Sequence, residues 1–522
     1  MNRQSRVPAI LTISGLAAAA CLAWPAPVAY AAVTCSSTSA SDLNGDGYDD
    51  AVVGDPYATV NGKAGAGVIV VLYGDQDGRI GEGKRAVYSQ ASVPGSNVES
   101  GDHFGWSVDL ADVTDDGCAD ILVGSPDEDW DGHADAGIAH VISFTPDGKG
   151  GLGTPRARVL DQGDVDGTVE VGDQFGYAVA LNDFYGGDEA FGAVSAPGED
   201  LQGVSDAGVV NTFDYLEAPL HAQQRAQGQV AEAGSLPGRA EAGDRFGASL
   251  IITPLEVTDG HDWGVEPSFL AGAPGDTVMR GSTAIDNAGS ITLWDPVTGY
   301  RRQLTQDSPG VAGAAEAGDQ FGSSVAASET SSTGHRVVAV GAPREDVGRV
   351  VDAGSVTVFS DVKRAGLQGR AAVSQDTSGF DGTAESGDRF GQVVALRSGS
   401  ATTVRLGVGA PYENVGSVKD SGMVGIADIA LSTGAITSVG SYTENSAGTP
   451  GTVATSNRFG STVTALQGQN ESVLTISSPY QKAGSVVVVD AEDRTRSWVP
   501  GKGGVPSLTS GRFGWSVTGP SE

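Results

Sequence analysis

Glu385-Ser-Gly-Asp388-Arg-Phe390-Gly391 opens a segment that continues through Val393-Val-Ala-Leu396 and Val404-Arg-Leu-Gly-Val-Gly409 to Ala410-Pro411. The segment holds two short apolar strands, each bounded by Gly, Pro or charged turn residues. An acidic loop from Tyr412 to Asp420 leads to Ser421-Gly422 and a third strand. Period-2 apolarity marks third strands elsewhere, as in Gly354-Ser-Val356-Thr-Val358. Working outward, Phe-Gly recurs in phase at Phe104, Phe175, Phe246, Phe321, Phe390, Phe459 and Phe513. The pair Phe191-Gly192 falls out of phase. A small-x-Pro signature recurs at Pro56, Pro126, Pro197, Pro274, Pro343, Pro411 and Pro479. The two sets are offset, so the chain opens on a half-repeat without Phe-Gly and closes on one without the Pro signature. Two half-repeats that complete each other are what a closed ring needs. The spacing predicts an all-β, seven-bladed β-propeller, with Arg512-Phe-Gly-Trp-Ser-Val517 finishing the sheet begun near Ser41.

Composition agrees. Gly accounts for 77 of 522 residues without a collagen-type triplet, which suits many tight turns. The Phe-Gly pairs lie 54 to 75 residues apart, leaving no stretch long enough for a separate catalytic domain. Each Phe is expected to pack between blades, each Gly to admit a neighbouring backbone, and each Pro to end a strand. No convincing amphipathic helix is visible.

Residues 1–31 read as a secretory signal peptide. Arg3 and Arg6 form the charged region, Ala9 to Trp24 the apolar region, and Ala29-Tyr30-Ala31 the cleavage site. The mature chain, 32–522, is then the propeller, secreted and without membrane insertion. Removing residues 1–31 takes away two Arg and no acid, moving the net charge from −34 to −36. Such a charge excludes nucleic acid and anionic lipid as partners and favours cations. Cys35 and Cys118 remain in an oxidising compartment and are expected to form a disulfide.

The strongest chemical motif is Asp42-Leu-Asn44-Gly-Asp46-Gly47-Tyr48-Asp49-Asp50. Side-chain oxygens at positions 1, 3, 5 and 9, with the Tyr48 carbonyl at position 7, suit the six to eight oxygen ligands of Ca²⁺. Gly47 permits the sharp turn. Position 12 is Val53 rather than the Glu of an EF-hand. The second loop offers Asp112, Thr114, Asp116, the Cys118 carbonyl and Asp120. The third, starting at Asp183, lacks position 9, and the later hairpins depart further. Two Ca²⁺ sites on adjacent blades follow, stabilising rather than catalytic.

The paired signatures and the metal loop resemble the FG-GAP repeats of the integrin α-subunit propeller and of similar secreted bacterial proteins, over essentially the whole mature chain. Asp50 and the strand after it match the calcium hairpin of integrin-type blades. The resemblance implies an extracellular binding or adhesion module, with ligands on the face that carries the post-Pro loops and the connections before Phe-Gly.

Recurring acids there (Glu128, Glu199, Glu345, Glu413; Asp173, Asp244, Asp319, Asp388) read as caps of turn amides. Asp127 to Asp135, with Trp130 and His133, and Asp276 to Asp286 read as irregular insertions better suited to recognition. No catalytic constellation emerges from the six His, and phosphate-loop and dinucleotide motifs are missing. The expected partner is an extracellular protein. A lectin is the alternative and a hydrolase the less favoured one, with a monomer as the expected state. Acids and aromatics repeated in every seam would favour the lectin; a single irregular patch would favour a protein partner.

Overall fold

A computed structural model describes residues 41–147, 151–165, 167–183, 191–213, 222–228, 234–255, 266–296, 298–328, 336–362, 366–400, 402–508 and 511–519. The proposed signal peptide and Cys35 lie outside the described residues.

The described chain is all-β. Seven sheets follow one another, each an antiparallel up-and-down set of four strands. Blade 2 shows the pattern: Ser107–Ala111, Asp120–Ser125, Ile138–Ser143 and Arg156–Leu160 pair in chain order. In blade 3, Gly234–Leu236 adds a fifth, parallel strand. One 3₁₀ turn, Gln162–Val165, is the helical element among the described residues. Blade 1 is completed by the far end of the chain. Ser516–Thr518 pairs antiparallel with Ala51–Asp55, setting Val53 opposite Val517. The seventh Phe-Gly thus serves the first Pro signature, as the offset requires.

Second strands end at the Pro signatures, for example Asp120–Ser125 before Pro126 and Thr403–Ala410 before Pro411. A Pro there cannot donate to the ladder. All seven Phe of the Phe-Gly pairs are essentially inaccessible to solvent. Phe104 packs with Val52, Ile69 and Val71 of blade 1 and with Ile121, Val123 and Ile142 of blade 2. The core is therefore a set of inter-blade layers, and no blade buries its faces alone.

The two signatures touch each other across each seam. A Cβ on Gly124 would lie 1.9 Å from the carbonyl oxygen of Gly176, and one on Gly272 1.9 Å from that of Gly322. In the five seams with Gly before x-Pro, that Gly makes room for the Gly of the next Phe-Gly; Ser195 and Ser477 take the position in the other two.

Candidate functional site

The post-Pro loops and the connections before Phe-Gly meet on one face. His103 N donates to Gly65 O at 3.0 Å, and the same contact recurs as Gln174 N to Asp135 O at 3.1 Å. The residue before each Phe-Gly takes a left-handed conformation in six blades: His103, Gln174, Arg245, Gln320, Arg389 and Arg458. That turn lifts its side chain above the buried Phe and sets it between the post-Pro residues of successive blades.

A half-buried arc results. The Arg389 guanidinium lies 4.5 Å from the Tyr412 ring centroid, and that of Arg458 lies 4.7 Å from Tyr412 and 4.6 Å from Tyr480. Arg512 continues the series, 4.4 Å from Tyr480 and 4.1 Å from Tyr57. Tyr57 packs on His103 at 4.6 Å, whose Nδ1 meets Asp127 Oδ2 at 2.6 Å. Gln174 Nε2 donates to Asp127 Oδ1, and Arg245 donates to Gln174 Oε1, each at 3.1 Å. Trp515 and Trp106 form an inner layer with centroids 4.8 Å apart, and Trp106 lies 5.7 Å from Tyr177. Among the described residues Arg389, Arg458 and Arg512 form no ion pair, although acids outnumber bases 65 to 31 in the chain. The post-Pro positions of blades 2 to 5 are Asp127, Gly198, Gly275 and Arg344, so the post-Pro tyrosines are confined to blades 6, 7 and 1. Sequence reading missed this arc because its members are single residues, each about 70 positions apart, that look like punctuation around the motifs.

On the same face, each seam from blade 1/2 to blade 5/6 carries a buried Gln and two carboxyl groups. Gln90 Nε2 donates to Glu128, Gln162 to Glu199 and Gln375 to Glu413, each at 2.6 Å. Gln306 donates to Glu345 in the same way. In the blade 3/4 seam the buried Gln227 donates instead to Ser290 at 3.2 Å, and within blade 4 Gln303 donates to Asp276 at 2.7 Å. The second carboxyl of each seam accepts the amide three residues earlier: Asp102 from Glu99, Asp173 from Glu170, Asp244 from Glu241, Asp319 from Glu316 and Asp388 from Glu385, all at 2.6 Å. The expectation of turn-capping acids therefore holds for the Asp series. The Glu series binds glutamine side chains instead, because it sits where the preceding blade's connection crosses. Burial, reinforced by neighbouring carboxylates, pushes Glu128 and Glu199 up to about 8 and Asp244 to about 7. Asp319 with Glu345 and Asp388 with Glu413 are raised for the same reasons.

The segment Asp127 to Asp135 is not the irregular insertion expected. Trp130 and His133 form the same bridged two-residue turn as Val60 and Lys63, Leu201 and Val204, Val347 and Val350, and Val415 and Val418. Left-handed Asp131 and Gly132 at its tip are the residue types such turns need. Trp130 donates to Asp161 at 2.7 Å. Asp276 to Asp286 does differ, carrying an extra hairpin of Val278–Arg280 against Thr283–Ile285.

The predicted metal loops lie on the opposite face, side by side: Ala119 N donates to Asp42 O at 3.0 Å. In the first, Asp42 accepts the amides of Gly45 and Gly47 at 2.8 Å, Asn44 Oδ1 that of Asp46 at 2.9 Å, and Asp46 that of Tyr48 at 3.1 Å. Asp50 is buried and accepts from Leu43 and Gly74. In the second, Asp116 accepts from Cys118 at 2.9 Å and Asp120 from Thr114 at 2.9 Å. Asp112 Oδ1 and Asp120 Oδ1 are buried with no hydrogen-bond partner. Burial and mutual repulsion hold Asp50 and Asp120 well above the usual carboxylate range, and Asp112 at about 6. Hard oxygens, crowded and short of donors, suit a divalent cation in kind. Among the described residues no three His, Cys, Asp or Glu side chains are already gathered as a metal cluster.

The family model for the FG-GAP repeat matches residues 36–72 and 104–142, which include both loops and Phe104-Gly105. Integrin alpha pat-2 of Caenorhabditis elegans is 39% identical over 88 residues, covering 17% of this chain and 7% of the integrin. Among solved structures, the periplasmic gluconolactonase of Pseudomonas aeruginosa aligns over 89% of this chain and 98% of its own at 12% identity, with a TM-score of 0.44. A functionally unknown protein of Desulfotomaculum acetoxidans aligns over 88% and 98% at 10% identity, with a TM-score of 0.41. No helix among the described residues is long and apolar enough to cross a membrane.

Proposed function

We propose that this chain, an FG-GAP β-propeller protein, is an extracellular binding module that takes hold of a protein partner through the arc running from Arg389 to Tyr177. The observation that carries the reading is the placement of the aromatic side chains. Tyr412, Tyr480, Tyr57, Trp515, Trp106 and Tyr177 occupy one continuous side of the ring rather than every seam. A lectin that reads one sugar per seam would repeat its aromatics around the whole circle. A single arc of Tyr, Trp and Arg has instead the composition of a protein-binding hot spot: large rigid side chains with a polar edge.

In the same reading the two loops hold Ca²⁺. Asp42, Asn44, Asp46, Asp50 and the Tyr48 carbonyl would hold one ion. Asp112, Thr114, Asp116, Asp120 and the Cys118 carbonyl would hold the other. The ions would supply positive charge to crowded carboxylates and stiffen hairpins beside the ring closure. A Cys35–Cys118 disulfide belongs to the reading too, and the disulfide-bonded state of Cys118 supports it.

The test is parallel screening of residues 32–522 on an extracellular-protein array and a glycan array, with Tyr412→Ala and Arg458→Ala as arc variants and Glu492→Ala as an exposed control. Protein binders lost in the arc variants and kept in the control are expected. Binding to glycans alone, or binding indifferent to the arc, overturns the reading.

A further inference from the structure

The ring-closing seam differs from the five that carry two carboxyl groups. There, an Asp precedes the residue before Phe-Gly: Asp102, Asp173, Asp244, Asp319 and Asp388. At closure that position is Gly511. The carboxylate comes instead from the other side, since Asp55 Oδ1 accepts Arg512 N at 2.6 Å and a Cβ on Gly511 would lie 1.8 Å from Asp55 Oδ2. No Glu follows Pro56 as Glu128 follows Pro126; the position is Ala58. The acidic latch is thus withdrawn below the surface, and an open cleft of about 640 Å³ takes its place.

The cleft is lined by Tyr57, Tyr480, Arg512, Lys482 and His103, and by no acidic side chain. Arg512 is held between the faces of Tyr57 and Tyr480. Stacking occupies the faces of a guanidinium and leaves its in-plane N–H donors directed outward. Among the described residues those donors meet no acceptor, whereas Arg405 and Arg496 are engaged by carboxylates. Lys482 is exposed, and His103 is already oriented by Asp127. The result is a preorganised fork with an ammonium beside it, in a cleft whose lining holds no acid, with Asp55 beneath it and Asp127 behind His103, on a chain whose net charge is −34.

From this geometry we infer that the closing seam is a receptor for an acidic side chain of the protein partner, with Arg512 gripping the carboxylate and Lys482 adding charge at the rim. The inference rests on the proposed protein-binding role of the arc and names the chemistry that the arc selects. The overall negative charge does not defeat it. Charges beyond about 8 Å are screened at physiological ionic strength, while a bidentate contact acts at hydrogen-bond range. Repulsion from the rest of the surface instead penalises diffuse polyanions, so that an isolated Asp or Glu on an otherwise neutral or basic surface is favoured.

The probe is a fluorescein-labelled octapeptide with one central Glu among Ser, Gly and Lys, titrated by anisotropy beside its Gln counterpart and an oligogalacturonate. The Glu peptide is expected to bind at least tenfold more tightly than the Gln peptide. Lys482→Glu, an exposed change that leaves the packing intact, is expected to remove most of that preference, and Arg512→Gln all of it. Equal binding of the two peptides, an unchanged preference in Lys482→Glu, or binding of oligogalacturonate but not of the Glu peptide each overturns the assignment. If array binders still depend on Tyr412 while the Glu peptide fails, the arc reading stands and the acidic-side-chain receptor alone falls.

Discussion

Gly124 and Gly176 sit in contact such that a Cβ on the first would approach the carbonyl oxygen of the second to 1.9 Å. One belongs to the Pro signature of blade 2 and the other to the Phe-Gly that opens blade 3. Gly124→Ala must push two blades apart against a packed seam, and backbone cannot yield as a flexible side chain would. A loss of about 3 kcal/mol is expected in chemical denaturation. Gly132→Ala is the comparison: nothing lies within 4 Å of its Cβ, and its φ of +84 leaves a conformational cost of about 1 kcal/mol. Equal losses for the two variants would remove the seam argument.

The buried carboxyl pairs predict an unusual pH dependence. Glu128, Glu199 and Asp244 titrate higher in the folded protein than in the unfolded chain. Such groups favour folding most where they are protonated in both states, and that contribution is lost as pH rises through the folded values. Their contribution should therefore fall between about pH 4 and pH 8. His140 works the other way: burial lowers it to about 4, so its contribution is lost as pH falls from about 6.5 toward 4. The denaturation midpoint should be higher at pH 5.5 than at pH 8.5, and Glu199→Gln should flatten that difference. A midpoint that rises toward pH 8.5 would contradict the seam electrostatics.

Calcium is testable by stability. At a free concentration a hundred times the dissociation constant, one site adds about 2.7 kcal/mol. Chelation should lower the melting temperature, and Asp46→Ala should mimic half of the change. Asp120→Asn should do the same for the second loop, where an orphaned carboxylate oxygen is buried. Superimposable melting curves with calcium and with chelator would remove both sites.

Reduction offers a further check. A Cys35–Cys118 bridge would be worth roughly 4–5 kcal/mol in the chain-entropy model. Non-reducing peptide mapping should yield one cross-linked pair, and reduction should lower the melting temperature. Free thiols at both positions would dismiss the bridge.

By itself the sequence determined the blade count, the ring closure and the two oxygen-rich loops. These are set by local rules: Pro ends strands, Gly allows backbone contact, and Asp, Asn and Gly in close succession make tight, oxygen-rich turns. Phe-Gly and the Pro signature were legible because the same contact is repeated in every seam. Tertiary structure alone decided which acids are caps and which are bound by glutamine, since Gln90 and Glu128 meet only once two blades are stacked. It also revealed Trp130 and His133 as an ordinary turn, because regularity there lies in backbone conformation and not in residue type. The arc and its cleft are tertiary in the same sense. Arg512 reaches Tyr57 because a closed ring brings the two ends of the chain together, and no spacing along the sequence encodes that distance.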